Sequence, residues 1–351
     1  MKKIGIIGHY AFGKVCLNGQ TIKTKIITEQ LQQSVGDDEV CSFDTHGRWR
    51  FLLKAPFLIF SSLRKSRNVI MLPAYKGVLI ITPLLTLFNL IFHRSLHYVV
   101  VGGWLPGYIQ RFRILRACLR SFDGIYVETR QMKREIEKFG FTNLIILPNC
   151  KELNIKDVAQ EDALPDTPYR LCTFSRVMQM KGIDDAIEAV RCVNEAYGRT
   201  VYDLTIYGPV WPAETEWFER VKASFPSYVH YGGSVPFESS VETLCHYFAL
   251  LFPTRFYTEG VPGTIIDAYA AGVPVISARW ESFDDVIDDE VTGYGYTLGA
   301  TDELVTRLKQ CYEHPELITS LRHNCTTKAQ AFLPANVIPQ LTANLRPKQS
   351  H

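Results

Sequence analysis

The chain has 351 residues, a hydrophobic content of 46%, a formal net charge of +2 and nine scattered cysteines. This length predicts two domains, and the composition excludes a disordered or low-complexity protein. Because no two cysteines form a Cys-x-x-Cys pair, a zinc site or a disulfide framework is disfavoured, and reduced thiols in the cytosol are expected.

The N-terminal half alternates β-branched segments with segments of helical periodicity. Residues 3–8 predict a first strand rather than a signal peptide, and Ile22, Ile26 and Leu31 then have helical spacing. Residues 78–92 form the longest apolar run, which is shorter than the about 20 residues that span a bilayer and predicts a helix covering a sheet. Further strands are predicted at residues 39–43, 68–72, 97–101, 124–128 and 143–147. These strands are apolar without clean alternation, which is typical of a parallel sheet buried on both faces.

Two loops of this half are candidates for ligand contact. The loop before the first helix ends at Gly19, which would let the backbone approach a ligand; an ordinary turn is the alternative. Residues 102–106 are interpreted as a loop on the side of an acceptor substrate, or else as a turn with a core tryptophan. His9 and His46 are isolated in the sequence and are interpreted as core or surface histidines rather than catalytic ones.

Charge is distributed unevenly along the chain. Residues 1–150 carry a net charge of +12 and the remainder −10, and residues 45–122 contain no acidic residue at all. Since each basic residue near anionic lipid contributes about 1 kcal/mol, this segment predicts association with an anionic membrane surface. A solvated basic face or a simple anion-binding domain are the alternatives. Nucleic acid is not expected as a partner, because no nucleic-acid-binding motif accompanies the charge.

The polar, acidic residues 151–168 predict a linker between an N-terminal domain, residues 1–150, and a C-terminal domain, residues 169–351. The last helix of the C-terminal domain is a candidate to pack back on the N-terminal domain. In the second half, strands are predicted at residues 169–175, 202–207, 229–235, 249–253, 274–276 and 292–296. The fold class is therefore α/β, with two Rossmann-like doubly wound domains. The loop at Val235 is a candidate wall for a nucleotide base.

Two charged loops follow strands of the second half. Arg176 and Lys181 come after the strand at residues 169–175, and two fixed cations at a strand's C-terminal end suit a diphosphate, since Arg binds phosphate through its fork and Lys acts as a point charge. The alternative is an exposed Arg and Lys in an ordinary turn.

The other loop carries Glu259 and leads into a helix of small residues that begins near Thr264. Open parallel sheets bind ligands at this edge, and free helix N–H groups favour an anion. In the functional interpretation Glu259 is a hydroxyl-binding or an electrostatic group, and Asp267 accepts a hydrogen bond from a ribose. The backbone amides facing a phosphate would be those of Val261, Gly263 and Thr264. The alternative is a capping box of Thr264 and Asp267, with Glu259 solvated.

The second loop resembles the Glu-Gly-Phe-Pro, four residues, Glu-Ala block of retaining glycosyltransferases of family 4, which have the two-domain GT-B fold. Glu259 and Asp267 have the family's spacing, with seven residues between them. The chain departs from the block at Val261, which replaces an aromatic residue, and at Asp267, which replaces the second Glu.

Two further blocks are similar to those of the family. Arg176 with Lys181 resembles its Gly/Ser-Arg, short loop, Lys-Gly block, and residues 18–21 resemble a variant of its glycine-rich loop. In this resemblance Arg176 and Lys181 bind the diphosphate, Glu259 is catalytic at the sugar and Asp267 binds the ribose. No metal or other cofactor is expected, because the chain lacks the Asp-x-Asp triplet with which transferases of the other common fold hold a cation.

The resemblance implies transfer of a sugar from a nucleotide diphosphate sugar, with a UDP-sugar favoured, to a glycan or polyprenyl-linked acceptor. Retention of configuration and a role in cell-surface polysaccharide biosynthesis are expected. The expected location is cytoplasmic, peripheral on the inner face of the cytoplasmic membrane. The alternatives are a nucleotide-sugar epimerase of the same fold and a non-catalytic nucleotide-sugar-binding partner subunit.

Overall fold

The computed structural model describes residues 1–12, 19–46, 49–73, 76–158 and 166–346. The described chain divides into two compact units. The first joins Met1–Lys151 to the C-terminal segment that begins at Pro334, and the second is Glu152–Leu333.

The described residues form parallel strands in two sheets, one in each unit. The strands are β1 (Lys2–Gly8), β2 (Val40–Asp44), β3 (Ser66–Leu72), β4 (Ser95–Val99), β5 (Gly124–Val127), β6 (Leu144–Ile146), β7 (Tyr169–Phe174), β8 (Tyr202–Tyr207), β9 (Val229–Gly233), β10 (Ala249–Phe252), β11 (Val275–Arg279) and β12 (Gly293–Thr297). Each predicted strand is confirmed to within a few residues at its ends.

Helices connect these strands and cover both faces of each sheet. They are α1 (Gly19–Val35), α2 (Trp49–Lys65), α3 (Val78–Phe92), α4 (Leu105–Arg111), α5 (Arg113–Leu119), α6 (Arg130–Glu137), α7 (Ile183–Ala196), α8 (Thr215–Ala223), α9 (Ser240–Leu244), α10 (Gly263–Ala270), α11 (Phe283–Val286), α12 (Thr301–Glu313), α13 (Glu316–Thr319), α14 (Arg322–Ala329) and α15 (Pro334–Thr342). Alternation of strand and helix is the pattern of a doubly wound α/β fold.

The first unit's sheet has the strand order β2-β1-β3-β4-β5-β6. Successive residues of β3 point to opposite faces, so Met71 packs in a core with residues of α2 and α3, whereas Ile70 packs in a second core with residues of α1 and α15. Both faces are buried, which explains why the strands read as continuous apolar runs. The last helix thus completes the core of the first unit, and Val337 and Leu341 are fully or almost fully buried there.

The second unit's sheet has the strand order β12-β11-β10-β7-β8-β9. After β7 the chain builds outward through β8 and β9, and after β9 it returns to place β10 on the other side of β7. The order therefore reverses between β7 and β10, and the helices that follow these two strands, α7 and α10, pack in different cores on opposite faces of the sheet. This is the position at which open α/β sheets bind ligands.

Most of the segment that the sequence assigns to a linker, residues 151–168, falls within the second unit, and its first residues pack on the rest of that unit. The backbone N–H of Lys156 donates to the carbonyl of Ala270 at 2.8 Å, and Leu153 and Ile155 contact that unit's core. Residues 159–165 lie outside the described residues.

The predicted helix at residues 78–92 is confirmed as α3. It buries Val78, Ile81 and Leu85 against the first unit's sheet. Throughout the described ranges, no helix combines the length and the apolar character needed to cross a membrane.

Candidate functional site

The loop after β7 is pressed against the loop after β10 at a glycine. A 3-10 turn, Gln179–Lys181, precedes Gly182, which has φ of 65° and ψ of 31° and caps the start of α7. A Cβ atom at Gly182 would lie 1.9 Å from the carbonyl oxygen of Pro253, far inside van der Waals contact. Only glycine therefore satisfies both the left-handed backbone and this close approach.

The close approach brings together two of the predicted site residues, Lys181 and Glu259. The Lys181 ammonium forms an ion pair with Glu259 Oε1, and each side chain is only 17% exposed. Thr254 Oγ1 donates to the same Glu259 oxygen at 3.1 Å. The Lys181 nitrogen also lies 5.1 Å from the ring centroid of Phe256, within the range of a cation–π contact. A fixed cation and a fixed carboxylate thus face each other where the strand order reverses.

Arg255 fastens the two loops together. Its guanidinium makes a two-pronged contact with Asp185, at 2.8 and 2.7 Å, and reaches Asp184 at 3.0 Å. Its backbone N–H donates to the carbonyl of Met180 at 2.9 Å. The hydrogen bonds to Asp185, together with Asp184, raise the Arg255 pKa although burial opposes this. Arg255 is consequently a permanent cation that holds the Lys181 turn beside the Glu259 loop.

Sequence reasoning missed Arg255 and Asp185 as positioning residues. Asp184 and Asp185 stand in the first turn of α7, where acidic residues are common because they complement the helix dipole. The signal that was available is Arg255 itself, a cation at the carboxyl end of the strand beside β7.

The structure does not bring Arg176 to the Lys181–Glu259 pair. Arg176 is exposed, and its guanidinium carbon lies 4.7 Å from the ring centroid of Trp211. Trp211 is anchored by its backbone N–H, which donates to the carbonyl of Val177 at 2.9 Å. The planar guanidinium is therefore oriented by an aromatic face at the edge of the loop after β7.

Helix α10 begins with Pro262 as its N-cap, so Thr264 is its second residue and Asp267 its fifth. The capping-box interpretation is wrong, because that motif requires the threonine at the N-cap itself. Asp267 lies in the second turn of the helix and is 5% exposed. Since Gly263 and Thr264 are the first two helical residues, no carbonyl within the helix stands four residues before their N–H groups.

Helix α10 ends at a glycine with a left-handed backbone. Gly272 has φ of 67°, and its N–H donates to the carbonyl of Tyr269 at 3.0 Å. The N–H of Val273 donates to the carbonyl of Ala268 at 2.8 Å. These two bonds form a Schellman motif, which ends the helix and turns the chain into β11.

The other predicted contacts lie on separate elements. The side chain of Val261 is 5% exposed and belongs to the core of the second unit. Val235 is half-buried between β9 and the next 3-10 turn. Gly19 is the exposed first residue of α1 in the first unit rather than part of a loop; residues 13–18 lie outside the described residues. The binding roles of all three residues stay predictions.

His9 and His46 are in contact with each other, whereas the sequence suggested that they are isolated. His9 Nε2 lies 3.1 Å from His46 Nδ1, and His9 Nδ1 lies 2.8 Å from Thr21 Oγ1. Burial lowers the His9 pKa, nearby Asp44 raises it and His46 lowers it further, with a net decrease. The available signal is that each histidine follows one of two strands, β1 and β2, that pair in parallel.

One group of possible metal ligands occurs among the described residues, outside the two loops. Ligand atoms of Glu242, Cys245 and His246 all lie within 4.8 Å of one another. Glu242 is also ion-paired with Lys156. The Lys181 loop instead presents cations, which provide positive charge for an anionic ligand.

The second unit has a clear relationship to known proteins. Residues 168–314 match the family model described as glycosyl transferases group 1. This segment, which is less than half of the chain, is similar to that family. Over 163 residues the chain is 25% identical to the amylovoran biosynthesis glycosyltransferase AmsK of Erwinia amylovora, a match that covers 45% of the chain and 38% of AmsK. The match thus spans less than half of this curated relative.

Solved structures resemble the chain over nearly its whole length. HepE of Anabaena, determined in complex with UDP, has a TM-score of 0.73 at 13% identity, covering 98% of the chain and 99% of HepE. Sucrose-phosphate synthase of Thermosynechococcus elongatus has a TM-score of 0.76 at 15% identity, covering 98% of each chain. The lipopolysaccharide outer core galactosyltransferase WaaB has a TM-score of 0.72 at 16% identity, covering 97% of the chain and 98% of WaaB. These likenesses concern the fold, and the predicted GT-B fold is confirmed.

Proposed function

We propose that the chain is a retaining glycosyltransferase that moves a sugar from a UDP-sugar to a glycan or polyprenyl-linked glycan. The reaction would serve cell-surface polysaccharide biosynthesis at the cytoplasmic face of the membrane. The observation that carries the proposal is the meeting of Lys181 and Glu259 at the strand-order reversal of the unit that is similar to the glycosyl transferases group 1 family. The UDP-glucose complex of HepE and the name of AmsK, an amylovoran biosynthesis glycosyltransferase, support the same class.

In this proposal Lys181 and Arg176 bind the diphosphate. When the bond between the sugar and the diphosphate breaks, negative charge develops on the leaving UDP, and cations already in place stabilise it without reorganising. The N–H groups of Gly263 and Thr264, at the start of α10, add partial positive charge. The chain would then need no metal at the diphosphate.

Glu259 would contact the transferred sugar. Its ion pair with Lys181 and its hydrogen bond from Thr254 hold the carboxylate in one orientation before the donor arrives. Preorganised polar groups of this kind act at the reacting centre without the cost of reorientation. Asp267 would accept a hydrogen bond from the ribose, as the family resemblance implies.

The diphosphate role is tested by calorimetric titration of UDP into Lys181→Ala. Loss of charge-assisted hydrogen bonds worth about 1.5–3 kcal/mol should weaken binding roughly 10- to 150-fold. The matched control is Lys328→Ala, because Lys328 is 16% exposed and is likewise ion-paired, with Asp288 at 2.7 Å, outside the two loops. Equal UDP affinity in the two variants would remove Lys181 from the site.

The charge balance of the pair allows a sharper test. Lys181→Ala leaves the Glu259 carboxylate facing the diphosphate, so the double variant Lys181→Ala/Glu259→Gln should bind UDP more tightly than Lys181→Ala alone. Additive effects of the two substitutions would show that the residues do not share a ligand.

Catalysis is tested with Glu259→Gln and a panel of UDP-sugars. This variant should keep UDP affinity within a few-fold of wild type and lose transfer to acceptor. Retention predicts a product with the donor's anomeric configuration by NMR, and metal independence predicts unchanged rates in EDTA. Conversion of the donor to its epimer without acceptor would favour the epimerase alternative, and full activity of Glu259→Gln would contradict the catalytic role.

A further inference from the structure

Helices α2 and α3 of the first unit expose a large apolar surface. On α2 the exposed positions follow the helical period, and Phe57 is 78% exposed. On α3 they lie in the last two turns, where Ile91 is 73% exposed. The apolar surface consists of Leu53, Phe57, Phe60, Leu87, Leu90 and Ile91.

The two helices lie side by side, which joins the exposed residues into one surface. The ring of Phe60 on α2 meets the rings of Phe88 and Phe92 on α3 edge-on, with centroids 6.4 and 5.1 Å apart. Arg94, just after α3, donates from Nε to the carbonyl of Leu63 at 3.0 Å and ties the two C-terminal ends together.

The apolar surface is not needed to hold the helices on the sheet. Their inner sides already bury Ala55, Ile59 and Leu63 of α2 and Val78 and Leu85 of α3. Helices that are apolar on both sides are normally covered on both sides. Single exposed apolar residues are ordinary, but a contiguous patch marks an interaction site.

The side-chain charges around the apolar surface indicate which kind of partner it would bind. Lys54 and Arg64 are exposed on α2, beside Leu53 and one turn after Phe60, and Arg113 is exposed at the start of α5, the helix that packs beside α3. Residues 45–122, which include α2 to α5, contain no carboxylate side chain. An apolar surface rimmed by cations without acids fits an anionic lipid interface. A second copy of the chain would bring two cationic rims together with no acids from this segment to pair them.

We propose that the apolar surface inserts into the headgroup and acyl boundary of an anionic phospholipid bilayer, with Lys54, Arg64 and Arg113 on the phosphates. The inference rests on the membrane location in the proposed function and deepens it. The sequence predicts attraction by charge, which salt screens; the exposed side chains of α2 and α3 add burial in lipid, which salt does not screen.

The test is flotation of the full chain with vesicles of phosphatidylcholine, alone or mixed with phosphatidylglycerol. Wild type should float with the mixed vesicles and keep part of its binding in 1 M NaCl, where the Debye length is about 3 Å. The double variant Phe57→Ser/Leu90→Ser should lower the partition coefficient between water and the mixed vesicles at least about tenfold, both at low salt and in 1 M NaCl. The matched control is Val291→Ser, an exposed apolar residue of the second unit, 45% exposed, which should float like wild type.

Insertion itself is read from Phe57→Trp. Its added fluorescence should shift to shorter wavelength with mixed vesicles and be quenched by lipids brominated on the acyl chains. The proposal is overturned if brominated lipids leave this emission unchanged, or if the double variant floats like wild type. It is equally overturned if wild type dimerises in sedimentation without vesicles and the double variant does not, since a second copy is then the occupant. UDP affinity is measured on the same variants, so that loss of flotation with intact UDP binding separates the membrane inference from the donor site.

Discussion

Gly182→Ala perturbs the point where the two loops of the second unit touch. The new methyl group would lie 1.9 Å from the Pro253 carbonyl oxygen, and a backbone carbonyl cannot swing away as a flexible side chain can. The positive φ of 65° adds about 1–2 kcal/mol of strain for any residue other than glycine. Overpacking of this kind costs about 1–3 kcal/mol more, giving about 2–5 kcal/mol in total.

Gly198→Ala is the matched control, because Gly198 has φ of 63° but no neighbouring atom within 4 Å of the position that its new methyl group would take. It should therefore show the strain alone, about 1–2 kcal/mol. At about 2–4 °C per kcal/mol for a unit of this size, the expected fall in Tm is roughly 2–8 °C for Gly198→Ala and roughly 4–20 °C for Gly182→Ala. Scanning calorimetry suits the measurement, since two units need not unfold together.

The same pair of variants separates stability from binding. Gly182→Ala pushes the Lys181 turn away from the Glu259 loop and should weaken UDP binding at least about tenfold by calorimetric titration, since even an ångström of displacement matters in a preorganised site. Gly198→Ala should leave the UDP affinity unchanged. The reasoning is refuted if both variants lose the same stability and bind UDP equally well.

Two further outcomes are expected. Arg255→Lys keeps the charge but loses the two-pronged contact with Asp185, so it should weaken UDP binding by about 1 kcal/mol. The control Arg191→Lys loses an exposed ion pair with Glu188 and Glu195 on α7 and should leave UDP binding unchanged. Equal UDP affinities of the two variants would contradict a positioning role for Arg255. Burial lowers the pKa of the fully buried His97 to about 4, although Asp123 opposes the shift. Below pH 6.5 the unfolded chain therefore binds more protons than the folded chain. The free energy of unfolding should fall by up to about 3 kcal/mol as the pH drops from 6.5 toward 4. In urea titrations between pH 7 and pH 4, His97→Gln should remove most of this fall in the free energy of unfolding. An unchanged pH dependence in this variant would show that His97 is not its source.

The sequence predicted the sheet strands because each is an apolar, β-branched run between glycine, proline and polar residues. It also placed Lys181 and Glu259 in one site, since both follow strands of one parallel sheet. Their direct ion pair was not predictable, because it depends on the approach at Gly182, and local periodicity carries no information about contacts 78 residues apart.

The same limit explains the other differences. Arg255 and Asp185 are 70 residues apart, and each has an ordinary local interpretation as a loop cation or a helix-start acid. The capping-box interpretation failed because Pro262 is the N-cap and the helix begins at Gly263, so Thr264 already lies inside the helix. Which core α15 joins is likewise set by packing, since its apolar pattern shows that one side is buried but not against what.

The return of α15 to the first unit has a consequence for synthesis of the chain on the ribosome. The first unit's sheet and α1 are made early, but the part of their shared core that receives Val337, Ile338 and Leu341 stays uncovered until the entire second unit has been translated. The second unit is continuous in sequence and can complete its core first, although domains commonly fold from the N-terminus during synthesis. The first unit of this protein therefore exposes part of its apolar core during synthesis until α15 has been translated.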